Sequence, residues 1–330
     1  MATDFDTWNK PNPTAAEQPA AGAPPADATP DQSRRVEYQP DIRLPDDQQG
    51  SPPRTALTQR EQIEAIKRHD SNFVFLFGAA QRGKTVVSSA LINFMGSVDS
   101  GGKLSSFGIK KGVDEGNALL RRIQRQFAEG VFPDRTALGT DRQPLYLNVA
   151  FSPADSKRRK LRLTFLEMPG DELRHVDSPD GGRGTLPDGI DVFFKAHNVS
   201  LSFILVTDIS RAADDDLMMT SFMDYIAEQN AQFESARFLL LVTKWDEYDG
   251  DKTVAEFVRG NMPKTYAKLF HPRNSIAQFS IGVVREADGK PFIGEFDPIP
   301  AKQVLNWLYA NIDGQPLYRK SLWQRLRKFI

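Results

Sequence analysis

The sequence predicts an α/β protein built on a doubly wound, mostly parallel sheet with one antiparallel edge strand. Three observations predict it. Phe73–Phe77, Phe203–Asp208 and Phe238–Val242 are short, nearly unbroken apolar runs, the pattern of strands buried on both faces of a parallel sheet. Helical periodicity separates and follows them, over Leu217–Asn230 and Thr253–Phe270, as crossover connections require. Leu145–Phe151 and Lys160–Leu166 instead alternate apolar with polar residues, which suits an antiparallel hairpin at the sheet edge.

Composition narrows the chemistry. Lys plus Arg (42) nearly balance Asp plus Glu (43), so no global charge draws the chain to nucleic acid. With no Cys there are no disulfides, thiolate metal sites or Cys nucleophiles. The four His (His69, His175, His197, His271) share no metal-ligand spacing. No run of 18 apolar residues occurs, and Met1–Trp8 lacks the basic and apolar regions of a signal peptide. A cytoplasmic protein is expected.

The elements follow in order. Residues 1–56, rich in Pro and Ala, bury too little apolar surface to offset chain entropy and are expected to be a disordered tail. An ordered domain is expected over 57–314. Thr58-Gln-Arg-Glu61 is a capping box opening a helix from Gln59 to His69. The Phe73–Phe77 strand runs into Gly78-Ala79-Ala80-Gln81-Arg82-Gly83-Lys84-Thr85, and an apolar helix begins at once with Thr85-Val86. A Gly/Ser loop is expected over 96–108, a basic amphipathic helix over Asn117–Glu129, and a polar loop over Gly130–Pro144. After the two central strands come a short strand Ala277–Ser280, a loop, and a helix Ala301–Asn311. Residues 315–330 form a last, basic amphipathic helix.

Gly78–Thr85 is a G-x-x-x-x-G-K-T phosphate loop in its required strand-to-helix setting. Its glycines let backbone amides of residues 78–86 fold round a polyphosphate, and the helix N-terminus favours the anion. Lys84 would reach the β- and γ-phosphates, and the Thr85 hydroxyl would hold Mg²⁺. Later strand ends carry matching stations. Leu166-Glu167-Met-Pro-Gly170 resembles the D-x-x-G switch of GTP-binding proteins, with Glu167 in place of the family's Asp; the resemblance implies Glu167 as the water-mediated Mg²⁺ support and Gly170 as the γ-phosphate sensor. Thr243-Lys244-Trp-Asp246 matches a guanine-reading [N/T]-K-x-D turn: a carboxylate accepts from both N1–H and the 2-amine of guanine. Phe279-Ser280-Ile281-Gly282 resembles, by its place after Asp246, the short S-A-K-like loop of GTP-binding proteins, which implies a backbone contact to the guanine carbonyl. Thr136, with Thr140 as runner-up, would close on Mg²⁺ from the Gly130–Thr136 loop.

These stations, in this order over residues 72–284, resemble the P-loop GTPases, the class that includes Ras and the translation factors. More loosely, the Gly-x-x-Pro-x-x-Thr loop and the Asp297-Pro-Ile-Pro stretch before a Trp-containing helix resemble bacterial double-GTPase-type domains. The resemblance implies a P-loop G-domain fold, GTP/GDP and Mg²⁺ as ligands, and a cytoplasmic switch in a multi-component signalling or conflict system. Effector or activating proteins are then expected as partners. One departure bears on mechanism. Where the family places a water-orienting Gln after the glycine, Asp171 and Glu172 follow Gly170, and a carboxylate beside a γ-phosphate suffers like-charge repulsion. Hydrolysis is therefore expected to be slow, with Arg82, Arg135 or Arg183 as cis candidates for a stabilising positive group. Two other readings stand beside this one. In an ATPase, Asp208 would be the Walker B acid, and in a non-hydrolysing scaffold nucleotide would serve structure alone. The terminal helix, with Leu322, Trp323, Leu326, Phe329 and Ile330 on one face, either packs on its own core or docks on an anionic inner-membrane surface or a partner groove.

Overall fold

The computed structural model describes Glu64, Ile66–Arg68 and residues 70–107, 110–132, 145–167, 192–194, 199–229, 236–270 and 274–318. Side chains at 110–116, 119, 145, 146, 167 and 229 fall outside that description. Also outside it are the 1–56 tail, most of the Gln59–His69 helix, Arg135, Thr136, Thr140, Gly170, Asp171, Glu172, Arg183 and the tail beyond Tyr318.

The described strands of the main sheet are β1 (Asn72–Phe77), β2 (Gly102–Ser106), β3 (Leu145–Pro153), β4 (Leu161–Glu167), β5 (Leu201–Asp208), β6 (Arg237–Thr243) and β7 (Ser275–Phe279), in the order β2-β3-β4-β1-β5-β6-β7. β4, β1, β5, β6 and β7 are parallel, while β3 runs against both β4 and β2. The expected doubly wound sheet with an antiparallel edge is the sheet observed. Helices with described bounds are α1 (Lys84–Gly96), α2 (Lys110–Ala128), α3 (Ala212–Gln229), α4 (Val254–Asn261), α5 (Pro263–Leu269) and α6 (Pro298–Asp313).

Side-chain alternation along β1 divides the core. Val74 and Leu76 join residues of α1, α2 and α6 on one face, whereas Phe73, Phe75 and Phe77 join α3, α4 and α5 on the other. This is the two-layer burial that a parallel sheet with continuous apolar strands needs. On the second face, Phe75, Phe203 and Phe238 sit in register on neighbouring strands and stack at 5.4 and 5.1 Å between ring centroids. Aromatic contacts of this kind add about 0.5–1.5 kcal/mol each beyond area burial.

Four local expectations are corrected. A strand, β2, occupies part of the expected Gly/Ser loop. It pairs with the outer edge of β3, and Gly102 fits there because a Cβ would lie 2.4 Å from the Phe151 ring. Pairing with a waiting strand edge overrides weak local propensity. The expected Thr253–Phe270 helix is two helices, because Pro263 has no N–H to continue α4. α4 opens on a Thr253/Glu256 capping box that the sequence reading passed over. The expected loop after β7 is a hairpin, β8 (Gly282–Ala287) and β9 (Lys290–Phe296), turning at Asp288-Gly289, both left-handed at φ 53° and 69°. An Asp-Gly pair between apolar runs is the usual two-residue hairpin signal. Finally, α6 begins earlier than expected, at Pro298, capped by the Asp297 carboxylate accepting from Ile299 N–H.

Candidate functional site

All the parallel strands end at one edge, and ligands of doubly wound sheets bind beyond the carboxyl ends of the strands. The phosphate loop leaves β1 there. Gly78 passes so near β5 that a Cβ would stand 2.2 Å from the Val206 carbonyl oxygen. Gly83, left-handed at φ 88°, turns the loop into α1, whose first helical bond runs from Val87 N–H to the Gly83 carbonyl at 2.9 Å. Gln81 is also left-handed, at φ 66°. Lys84 is buried and its ammonium donates to the Gly78 and Ala79 carbonyls at 2.8 and 3.0 Å, so the cation lies along the loop. Ala79 anchors the loop in the α3-side core, and Val86 packs against the α1-side core.

The Thr243–Asp246 turn lies beside this loop. Thr243 ends β6, and its hydroxyl faces the Arg82 carbonyl at 2.9 Å and the Thr207 carbonyl at 3.0 Å, sharing its one proton between them. Lys244, left-handed at φ 57°, donates from Nζ to Asp208 Oδ2 at 3.0 Å. Asp246 sits on a 3₁₀ turn, Trp245–Glu247, held by an aromatic triangle of Trp245, Tyr248 and Phe257 with centroids 4.6–5.5 Å apart. Partial burial pushes the Asp246 carboxyl pKa up, against the opposing bond from its own backbone amide.

Ser280 and Ile281 follow β7 at the same edge. The Ile281 side chain is part of the core, and its carbonyl accepts from Asp297 N–H at 3.0 Å. Glu167 ends β4, opposite Leu76 of β1, so its backbone stands next to the start of the phosphate loop.

Two arginine and aspartate roles differ from expectation. Arg82 is not a cis finger, because its guanidinium is committed to Asp215 on α3 in a bidentate pair at 2.7 and 3.1 Å. Burial works against its charge, but Asp215, with Asp208 and Asp214 behind it, outweighs burial and the Arg82 pKa is raised. Asp208, the Walker B candidate, is almost wholly buried and its carboxylate is occupied. Oδ1 accepts from Ser210 N–H at 3.0 Å and Ser210 Oγ–H at 2.8 Å, while Oδ2 takes Lys244. Burial alone would lift its pKa, yet Ser210, Lys244 and the more distant Arg82 together hold it below the usual carboxylate range.

Sequence reasoning missed Thr207, Asp215 and the structural use of Asp208. The available signal was the acidic run Asp214-Asp215-Asp216 after β5, which also suits a helix N-terminus. It does not say which carboxylate turns inward.

The Asp208–Lys244 pair carries a pH prediction. A depressed carboxylate contributes stability above its unfolded pKa of about 3.9 and loses it as pH falls through the folded pKa. Lys244→Met removes one source of depression and leaves the burial, so Asp208 protonates at higher pH. Acid unfolding followed by circular dichroism is expected to begin at a higher pH than in the wild type. An unchanged midpoint would mean that the pair has no linkage role.

No family model and no curated protein matches the chain. It is similar to solved structures at low identity. One is the RocCORdC portion of Methanosarcina barkeri Roco2 bound to GDP, 14% identical over 78% of this chain, TM-score 0.36. This chain spans 55% of that chain's length. A dimerization-deficient mutant of Toc33 from Arabidopsis thaliana is 10% identical over 78% of this chain and 93% of its own, TM-score 0.39. An ADP-ribosylation-factor-like GTP-binding protein, the small COPII coat GTPase SAR1 of Encephalitozoon cuniculi with GDP, is 10% identical over 82% and 89%, TM-score 0.34. Likenesses this loose add nothing to the topology and geometry above.

Proposed function

We propose that this chain is a GTP-binding switch with slow, Mg²⁺-dependent GTP hydrolysis, working in a bacterial multi-component signalling or conflict system. One observation carries the reading. The turn bearing Asp246 is tied through Thr243 to the backbone of the phosphate loop, so base recognition and phosphate recognition belong to one rigid edge. Lys84 and the amides of residues 78–86 bind the phosphates, Asp246 selects guanine, Lys244 supports the base, and Ser280 and Ile281 complete the pocket. Thr85, Thr136 and Glu167 offer the hard oxygen donors that suit Mg²⁺, and the ion supplies charge neutralisation on the phosphates when bound. Catalysis then rests on positioning an in-line water and stabilising charge, with Gly170 at the γ-phosphate. Asp171 and Glu172, which follow Gly170 in the sequence, would slow the attack by like-charge repulsion. Arg135, Arg183 or an activating or effector protein would supply the positive group, because Arg82 is already committed to Asp215.

The adenine alternative needs Asp208 free to support a metal, whereas its carboxylate already accepts three hydrogen bonds, one from the Lys244 ammonium. Comparing GTP and ATP affinities of the purified chain in Mg²⁺ tests the assignment: GTP is expected to bind roughly 100-fold more tightly or better, and equal affinities would sink it. Single-turnover hydrolysis of the bound GTP distinguishes a slow enzyme from a scaffold.

We also propose a cytoplasmic location with a peripheral contact at the inner membrane. Among the described residues no helix is long and apolar enough to cross a membrane. The β3–β4 turn, at the end of the sheet opposite the phosphate loop, exposes Lys157, Arg159 and Lys160. Arg158, between them, instead bonds the Gln315 and Pro316 carbonyls. Tyr318, the last described residue, donates to the Ser100 carbonyl at 2.8 Å. Tyr318, after which the basic sequence 319–330 follows, is therefore held near that basic turn. Co-sedimentation with phosphatidylglycerol vesicles is expected, and removal of 319–330 should abolish it. Equal binding to neutral phosphatidylcholine vesicles, or none to either, would dismiss the membrane contact.

A further inference from the structure

Arg82 ties the phosphate loop to α3 and, through Thr207 and Thr243, to the ends of β5 and β6. Its guanidinium donates to Asp215 Oδ2 at 2.7 Å, to Asp215 Oδ1 at 3.1 Å and to the Ala80 carbonyl at 3.3 Å. Asp215 Oδ2 takes a further bond from the Thr207 hydroxyl at 2.7 Å. On the backbone side, the Arg82 carbonyl faces the Thr243 hydroxyl at 2.9 Å. The two charged side chains are 13% and 4% exposed. The next residue, Asp216, does a separate job: it accepts from Thr265 N–H at 2.8 Å and Lys264 N–H at 3.2 Å, at the start of α5. The first turn of α3 thus fastens the phosphate loop on one side and α5 on the other.

A buried ion pair is a poor stabiliser in general, since desolvation consumes most of its attraction. What a bidentate guanidinium–carboxylate fork does supply is fixed orientation. Here the fork joins a helix to a loop whose amides must all face one polyphosphate. We propose that Asp215, acting through Arg82, is a positioning residue for the phosphate loop and sets how slowly bound nucleotide leaves. The inference rests on the nucleotide-binding reading above. A loop already held in its binding shape has little ordering entropy left to lose, and the benefit of such preorganisation appears mainly in the dissociation rate. Releasing the fork lets the 80–83 segment open without touching Lys84 or Thr85.

The test is release of mant-GDP from the full chain in Mg²⁺, chased with unlabelled GDP, with the melting temperature measured in parallel. D215N and R82M are expected to release nucleotide about 10- to 100-fold faster than wild type, the cost typical of a small misplacement, with association rates changed much less. R82M/D215L removes both charges and refills the space with apolar groups, a replacement that is often neutral for stability. Its melting temperature should fall no further than that of the single variants, because only the Thr207 hydroxyl then lacks an acceptor, while its release is as fast as theirs, and it carries the test if D215N does not fold. Slow, wild-type-like release from R82M/D215L, or single variants within twofold of wild type, overturns the proposal and leaves the pair a stability feature. A wild type that retains mant-ADP and not mant-GDP defeats the guanine assignment instead, and the same comparison is then made with mant-ADP. A wild type retaining neither defeats the nucleotide reading and this inference with it.

Discussion

Lys84→Ala is expected to lower GTP affinity by roughly three orders of magnitude while leaving the fold intact. The ammonium is buried at 7% exposure and already forms two bonds to the Gly78 and Ala79 carbonyls, so it is held at the loop and not in solvent. A hydrogen bond to a charged group contributes about 1.5–3 kcal/mol. Two lost bonds to phosphate oxygens therefore cost about 3–6 kcal/mol, or roughly 10²–10⁴ in affinity. The fold should survive because Gly78 is still held against β5 and Gly83 still starts α1. Fluorescence titration with mant-GTP, beside a thermal melt, separates the two effects. A variant that binds as wild type would show that the loop is an ordinary strand-to-helix turn. One that has unfolded would show that Lys84 serves the carbonyls and not a ligand.

The sheet was legible because its buried strands are written in nearly continuous apolar residues, and no other element type fits runs as short as Phe238–Val242. The phosphate loop and the Thr243–Asp246 turn were legible because glycines and charges at strand ends have few other uses. What escaped was whatever depends on a distant partner. β2 has little strand character until β3 offers an edge, and Leu104 then packs against the α1-side core. Arg82 looked like a catalytic arginine because the sequence does not show that Asp215, 133 positions later, waits beside it. Asp208 looked like a metal-supporting acid for the same reason: Lys244 and Ser210 come to it only through the β5–β6 pairing and the turn after β5. The β8–β9 hairpin had a local signal in Asp288-Gly289, but its mostly exposed strands lack the apolar alternation that announces a core-facing pair.

Asp246→Asn is expected to change which base the site accepts. The carboxylate offers two acceptor oxygens to guanine N1–H and the 2-amine. The amide keeps one acceptor and turns an NH₂ toward the amine, donor against donor. Sites built on buried hydrogen bonds reject a mismatched group by about 10⁴-fold, and the partial exposure of this turn reduces that to roughly 10²–10³. Xanthine keeps N1–H but carries a carbonyl at C2, and so presents the donor and acceptor that the substituted amide would match. GTP affinity should therefore fall while xanthosine triphosphate affinity rises, with ATP weak throughout. The same carboxylate predicts a pH effect in the wild type. Because its pKa is raised, protonation removes an acceptor earlier on acidification than for an ordinary aspartate, and GTP affinity should decline from a higher pH than phosphate contacts alone would give. The substitution leaves the aromatic triangle and the Lys244–Asp208 pair in place, so the turn keeps its shape and any change in preference reports on the one side chain. A variant that still prefers GTP would mean that the turn is charged but does not face a base. The phosphate loop would then belong to a nucleotide site whose base is read elsewhere.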